Sequence, residues 1–380
     1  MDSRKYTIFR RLIQSNIEKS LFIGKAVILY GARQTGKPTL VKPIAANYSG
    51  SRYLNCDEPD VRRALTDKTS TELSGYISGS KLVILDEAQR VKNIGLTLKL
   101  MVDNFPKVQI LATGSSSFDL SNKIVEPLTG RAFEFFLPPL SVWETGIADP
   151  LEINRSIETR LIYGLYPEIV AKPSQKEQLL KLIFKNYLYK DVLEYQGIKN
   201  PDLLEKLLTA LALQIGQEVS FTELAATLGV DKTTVSTYIR ILEQAFIIFR
   251  LPPLARNLRK EISKSRKIYF WDVGVRNAVV NNFNPLELRN DTGYLWENFL
   301  IAERAKVNSF KNKSPNRYFW RTWDQKEIDY IEEARGMFNA FEIKWKTGRA
   351  AEPKDWKKNY TDSSWKIVNR DNYLKDFIAK

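Results

Sequence analysis

The run AVILYGARQTGKPTL at positions 26–40 constrains this chain more than any other stretch. Five apolar residues suited to a buried strand enter a loop bounded by Gly31 and Gly36, and a helical pattern leaves after Thr39. Strand, glycine-bounded loop and helix in that order are the layout of a phosphate-binding loop. The two glycines let the backbone turn its N–H groups inward around phosphate oxygens, and Lys37 supplies a point charge for the β- and γ-phosphates. Thr35 completes the loop, and Pro38 stands where such a loop calls for Ser or Thr.

The GxxxxGK spacing is common by chance, so its meaning depends on context. Apolar runs at 26–30, 52–56, 82–86, 108–113 and 132–138 alternate with helical stretches, which predicts a parallel α/β sheet covered on both faces. LVILDE at 82–87 is a hydrophobic strand ending in two acids. Asp86 is expected to orient a Mg2+ shell and Glu87 to polarise the attacking water. VQILAT ends at Thr113, so three strand ends converge where an ATP or ADP site with Mg2+ belongs.

Pro38 has neither a hydroxyl for Mg2+ nor an N–H for phosphate. It does not break the helix, because the first turn tolerates proline. One lost charge-assisted hydrogen bond costs about 1.5–3 kcal/mol, or about ten- to a hundredfold in affinity. Thr39 remains in reach of the α-phosphate. The expectation is weakened Mg2+-nucleotide binding and impaired hydrolysis.

Composition removes whole classes of chemistry. The chain of 380 residues has no histidine and one cysteine, Cys56. Ser-His-Asp and Cys-His machinery and zinc sites built on histidine or cysteine clusters are excluded, so metals fall to carboxylates and hydroxyls. A lone cysteine forms no internal disulfide and fits a reducing cytoplasm. The absence of a long apolar run predicts no membrane helix, and the first residues carry no signal-peptide core. The formal charge of +14 suits a polyanionic partner and equally suits solubility.

GARQTGKPTL, LVILDEAQR, ILATGSSS and LTGRAFEFFLPPLSVWE resemble the AAA+-type ATPases described as archaeal and bacterial ATPases with a C-terminal domain of unknown function. LYPEIV, YLYKDVLEYQGI, KIYFWDVGVRN, LWENFL and WRTWDQKEIDYI extend the resemblance over nearly the whole chain. Arg33 and Gln34 match that family's loop and Pro38 departs from it. The resemblance implies an ATPase domain, a helical and winged-helix middle and a restriction-endonuclease-like end. It also implies a role for Arg131, in TGRAF, on γ-phosphate charge in cis or from a neighbouring subunit. A surface arginine capping a turn is the alternative.

FTELAATLGVDKTTVSTYIRILEQAFII at 221–248 has the rhythm of a helix-turn-helix. Ser220 or Thr222 caps the first helix, Gly229 makes the turn and Asp231 caps the second. Lys232, Thr233, Thr234, Ser236, Thr237 and Arg240 are DNA-competent side chains on the second helix. The basic run Arg256, Arg259, Lys260, Lys264, Arg266 and Lys267 adds a candidate phosphate contact.

Near the end, Glu297 opens an amphipathic helical pattern. KEIDYIEE and FNAFEIKWK read as a hairpin presenting Asp329, Glu342 and Lys344, with a turn at Gly336. This is the PD-(D/E)xK nuclease arrangement, in which Glu297, Asp329 and Glu342 would hold metal and Lys344 would position water. Gln325 is a further candidate for substrate contact. An ordinary charged hairpin is the alternative.

The expected division is an ATPase domain at 1–148, a helical connector at 149–215, a winged helix-turn-helix with basic linker at 216–284 and a nuclease-like domain at 285–380. The leading expectation is a cytoplasmic, nucleotide-binding protein acting on DNA, with self-association open. A non-hydrolysing DNA-binding regulator and a protein-docking module are the rivals.

Overall fold

The computed structural model describes residues 8–115, 128–188, 192, 198, 200–254, 266–322, 325–348 and 350–380. They form two compact units, one running to Leu140 and including Gln244–Phe246, the other holding Ser141–Glu243 and Ile247–Lys380.

The first unit is built on strands β1 (Ala26–Tyr30), β2 (Ser51–Asn55), β3 (Leu82–Asp86), β4 (Gln109–Gly114) and β5 (Ala132–Phe136). All pair in parallel, in the order β2-β3-β4-β1-β5. β1, β3 and β4 are buried along their whole lengths, as their unbroken apolar runs require of strands covered on both faces. Ile28, Val83, Leu85, Ile110 and Ala112 pack with Leu73, Ile77, Leu98 and Met101 from the covering helices. The five-stranded parallel sheet matches the expected α/β class. The helix after the loop starts earlier than its periodicity predicts, at Lys37, and runs to Ala46 through an internal Pro43.

In the second unit, helices Pro150–Tyr163 and Pro201–Leu213 bury apolar faces around Leu161, Leu204, Leu208 and Leu211. Phe221–Leu228 is capped by Ser220, whose hydroxyl accepts from the Glu223 N–H, and it ends at Gly229 with φ 67°. Helix Lys232–Gln244 follows, the Asp231 carboxylate accepting from the Thr234 N–H at 2.8 Å. An antiparallel sheet of β6 (Glu218–Val219), β7 (Ile248–Leu251) and β8 (Arg266–Phe270) has the order β6-β8-β7, and Arg250 of β7 bonds Glu243 of the second helix.

The chain then forms helix Thr292–Phe310 and a mixed sheet of β9 (Asn316–Arg321), β10 (Glu327–Ala334), β11 (Met337–Ile343) and β12 (Ser363–Val368). The sheet order is β12-β11-β10-β9, with only β11 and β12 parallel. The expected hairpin is present, closed by Arg335 and Gly336 at φ 55° and 81°, the pair of positive angles a two-residue hairpin turn demands. Helix Thr292–Phe310 is buried nearly all round and is not the amphipathic helix expected at Glu297. Its interior polar groups are paired: Glu303 accepts from Ser141 and the Val142 N–H and bonds Lys306 at 2.8 Å.

Candidate functional site

β1 lies between β4 and β5, so the loop at its carboxyl end emerges from an interior strand, one in from the edge of the first sheet. The Gly31 N–H donates to the Gly114 carbonyl and the Leu137 N–H to the Tyr30 carbonyl, holding the loop mouth between two strand ends. A Cβ on Gly31 would lie 2.4 Å from the Leu137 carbonyl oxygen, so no larger residue fits. Gly36 has φ 92°, a left-handed conformation that L side chains resist, and it starts the helix at Lys37. Lys37 is buried, its Nζ 2.8 Å from the Gly31 carbonyl and 3.1 Å from that of Ala32. Thr35 is buried and its hydroxyl donates to the Ala32 carbonyl at 2.9 Å.

Arg11 braces the loop from outside the motif. Its Nη1 donates to the Thr35 carbonyl and its Nη2 to the Pro138 carbonyl, both at 2.7 Å. Sequence reasoning missed Arg11, because nothing local marks an arginine whose partners lie 24 and 127 residues away.

Asp86 ends β3 and is buried. Its Oδ1 accepts from the Thr113 hydroxyl and its Oδ2 from the Tyr53 hydroxyl, so β2, β3 and β4 converge on one carboxylate. Burial, and then the bond to Asp86, raise the Tyr53 pKa. Glu87 has φ 52° and donates its N–H to Thr113 Oγ1 at 3.2 Å. Gln89 Nε2 reaches Glu87 Oε2 at 2.5 Å and Ser115 Oγ at 2.9 Å. Tyr53 and Gln89 were not predicted: the first sits in a half-buried strand, the second in a turn. Behind them Cys56 is fully buried, its thiol pushed up to about 12 by desolvation.

The cradle suits a phosphate chain: a glycine-walled loop, a helix N-terminus and a buried lysine stand at the same sheet edge as the acids ending β3 and the hydroxyl of Thr113 ending β4. Pro38 is the second helical residue, where its missing N–H breaks no helical bond but presents no donor and no hydroxyl to a ligand. Thr39 is exposed and Arg33 and Gln34 are half-buried in the loop. Among these residues Asp86 is the group suited to a Mg2+ shell, with water in place of the missing hydroxyl.

Arg131 stands elsewhere. Its carbonyl accepts from the Ala26 N–H, at the amino end of β1, about 13 Å of strand away from the loop. Its Nε bonds Asp103 at 2.7 Å, both side chains more than a third exposed. A role on γ-phosphate charge within the same chain is therefore corrected: Arg131 caps the opposite end of the sheet.

In the second unit Lys232, Thr233 and Arg240 are exposed along one helix, while Thr234, Ser236 and Thr237 are half-buried. The Thr234 hydroxyl donates to Asp231 Oδ2 at 2.6 Å and so serves the helix cap. Of the expected basic run, Arg256, Arg259, Lys260 and Lys264 lie outside the described residues. Lys267 belongs to no exposed basic surface. It is buried, with its Nζ 2.9 Å from Glu297 Oε1, 2.5 Å from Glu327 Oε1 and 3.8 Å from Asp329 Oδ1.

Glu297, Asp329, Glu342 and Lys344 are brought to one region, as their spacing predicts. The Ile343 N–H donates to Asp329 Oδ2 at 2.7 Å, Tyr269 OH to Glu297 Oε1 at 2.6 Å, and Lys344 Nζ lies 2.6 Å from Glu342. Burial pushes Glu297 up to about 7 and raises Asp329 and Glu342, the last also through the Asp329 charge. Burial works against the Lys267 ammonium, but Glu297 and its neighbours hold its pKa well above the ordinary value. The expected assignment of Glu297, Asp329 and Glu342 to a metal does not fit. Among the described residues no group of three or more His, Cys, Asp or Glu side chains is arranged to hold an ion, and an ammonium stands among these carboxylates. Gln325, with φ 63°, lies by Arg321 and outside this cluster.

Strand order, glycine-walled loop and paired strand-end acids define a P-loop nucleotide-binding domain. Residues 24–146 match the model of an AAA domain, so this part of the chain is similar to AAA-type ATPase domains. Residues 154–286 and 292–373 match two domains of unknown function, DUF8612 and DUF4143. An uncharacterized protein of Mycobacterium tuberculosis is 29% identical over 344 residues, covering 89% of this chain and 74% of its own length. One from Methanocaldococcus jannaschii is 24% identical over 344 residues, covering 84% and 75%. Among solved structures, a Walker-type ATPase of Pyrococcus abyssi covers 73% of this chain and 98% of its own at 16% identity and a TM-score of 0.49. Among the described residues no helix is long and apolar enough to cross a membrane.

Proposed function

We propose that the chain binds ATP or ADP at the loop 31–39 and acts on DNA, nucleotide state being coupled to the second unit. The observation that carries this reading is the convergence of Lys37, Asp86, Glu87 and Thr113 at the carboxyl ends of β1, β3 and β4. Lys37 and the helix N-terminus take the phosphates, Asp86 orients the Mg2+ shell and Glu87 polarises the water. Tyr53 and Thr113 fix the Asp86 carboxylate. Mg2+, when bound, neutralises charge that develops on the phosphates. On this reading Pro38 leaves the phosphate loop able to bind nucleotide and, by removing a Mg2+ ligand, impairs hydrolysis.

DNA is the polyanion that the +14 charge and the exposed Lys232, Thr233 and Arg240 support. On this reading helices Phe221–Leu228 and Lys232–Gln244 with the sheet β6-β8-β7 are a winged helix, the second helix meeting the duplex. The sheet β12-β11-β10-β9 beside helix Thr292–Phe310 is nuclease-like in layout, and cleavage is no part of the function proposed.

The test is equilibrium binding of fluorescent ATP to the full chain beside Lys37→Ala. Binding that falls at least about tenfold in the variant supports the site. Equal binding by the two proteins rejects it.

A further inference from the structure

We propose that Lys267 is the shared charge partner of Glu297, Glu327 and Asp329, so that this cluster is a polar joint between two sheets and not a divalent-metal site. Lys267 comes from β8 of the three-stranded sheet, while Glu327 and Asp329 come from β10 of the four-stranded sheet and Glu297 from the helix beside it. The Lys267 side chain is 2% exposed, and its Nζ has carboxylate oxygens at 2.5, 2.9 and 3.8 Å. An ammonium has three protons, and three carboxylates surround it.

Several of the remaining carboxylate oxygens are already engaged. Glu297 Oε1 also takes the Tyr269 hydroxyl, Asp329 Oδ2 takes the Ile343 N–H, and Glu342 is paired with Lys344. A divalent cation on these carboxylates would have to enter beside the buried positive charge of Lys267, where like charges are poorly screened. The same seam carries further links between the two sheets. Arg321 of β9 bonds Glu218 of β6 at 2.8 Å, and the Leu254 N–H donates to the Phe319 carbonyl at 2.7 Å. The carboxylates that spacing alone would assign to catalysis thus tie the helix-turn-helix segment to the C-terminal sheet.

The deciding experiment is a Mn2+ titration of the nucleotide-free full chain, read by electron paramagnetic resonance, beside Asp329→Asn. The two curves should superimpose. A Mn2+ bound by the wild type with Kd below about 1 mM and lost in Asp329→Asn overturns the proposal. A melting series adds a second readout. Lys267→Met should lower Tm by about 5 °C or more, and Lys267→Met/Glu297→Gln should recover part of that loss. A single variant that melts with the wild type, or a double variant no better than the single, overturns the joint. Should the single variant not fold, the wild-type titration decides. Because no nucleotide enters these measurements, their failure leaves the ATP reading standing.

Discussion

Gln89 Nε2 lies 2.5 Å from Glu87 Oε2 and 2.9 Å from Ser115 Oγ, so the acid expected to polarise water is held by an amide from its own turn. Glu87 reaches that position through a left-handed backbone, φ 52°, with its N–H on Thr113. Glu87→Gln should reduce ATP turnover by about 10²–10⁴-fold while ATP affinity stays near the wild-type value. Steady-state phosphate release beside equilibrium binding checks this, and unchanged turnover removes Glu87 from the chemistry.

Pro38→Thr restores a hydroxyl and an N–H at the second helical residue without disturbing the first turn. Mg2+-ATP affinity should rise about ten- to a hundredfold, matching one charge-assisted hydrogen bond, and turnover should rise with it. Calorimetric titration with and without Mg2+ separates the two contributions. A variant identical to the parent in both would show that the position lies off the phosphate path.

Arg131→Ala tests the opposite end of the sheet. Its partner is Asp103, and its carbonyl caps β1 at Ala26. An exposed pair of this kind contributes about 0–1 kcal/mol, so stability should change little. Turnover should match the parent across protein concentrations. A concentration-dependent loss of turnover would mean that Arg131 serves a neighbouring subunit.

Lys232→Ala and Arg240→Ala each remove an exposed cation from helix Lys232–Gln244. If the helix lies on DNA, each should weaken duplex binding and reduce the slope of log affinity against log salt by about 1. Fluorescence anisotropy at several salt concentrations reads both quantities. Slopes equal to the parent's would place DNA elsewhere or exclude it.

Glu297 supplies a pH dependence with a definite sign. Burial lifts its folded value to about 7, above the usual 4.5 of the unfolded chain. Between these values the folded protein holds a proton that the unfolded chain has released, so raising pH through this window lowers stability. The contribution is about 3 kcal/mol, fully present below pH 4.5 and lost above 7. Chemical denaturation from pH 5 to 8 should show this fall in the wild type and a flatter profile in Glu297→Gln. Parallel profiles would contradict it.

The sequence alone determined what rests on neighbours along the chain. Unbroken apolar runs made β1, β3 and β4 readable as buried parallel strands, and glycine spacing with Lys37 located the phosphate loop. Asp86 and Glu87 were legible because a hydrophobic strand that ends in acids must present them at its carboxyl edge. Ser220, Gly229 and Asp231 marked the two helices through capping and turn chemistry, which acts within a few residues.

Tertiary structure decided what depends on distant partners. Arg11 braces the loop through carbonyls far away in sequence, and Tyr53 meets Asp86 only because β2 pairs with β3. Arg131 was placed away from the nucleotide site by the direction of β5. Lys267 read as one member of a basic run, yet folding buried it among Glu297, Glu327 and Asp329. Local pattern records which side chains can ionise. Whether a charge meets solvent, a ligand or a buried partner is set by which strands pair and what packs over them, and that is decided only when the sheets assemble.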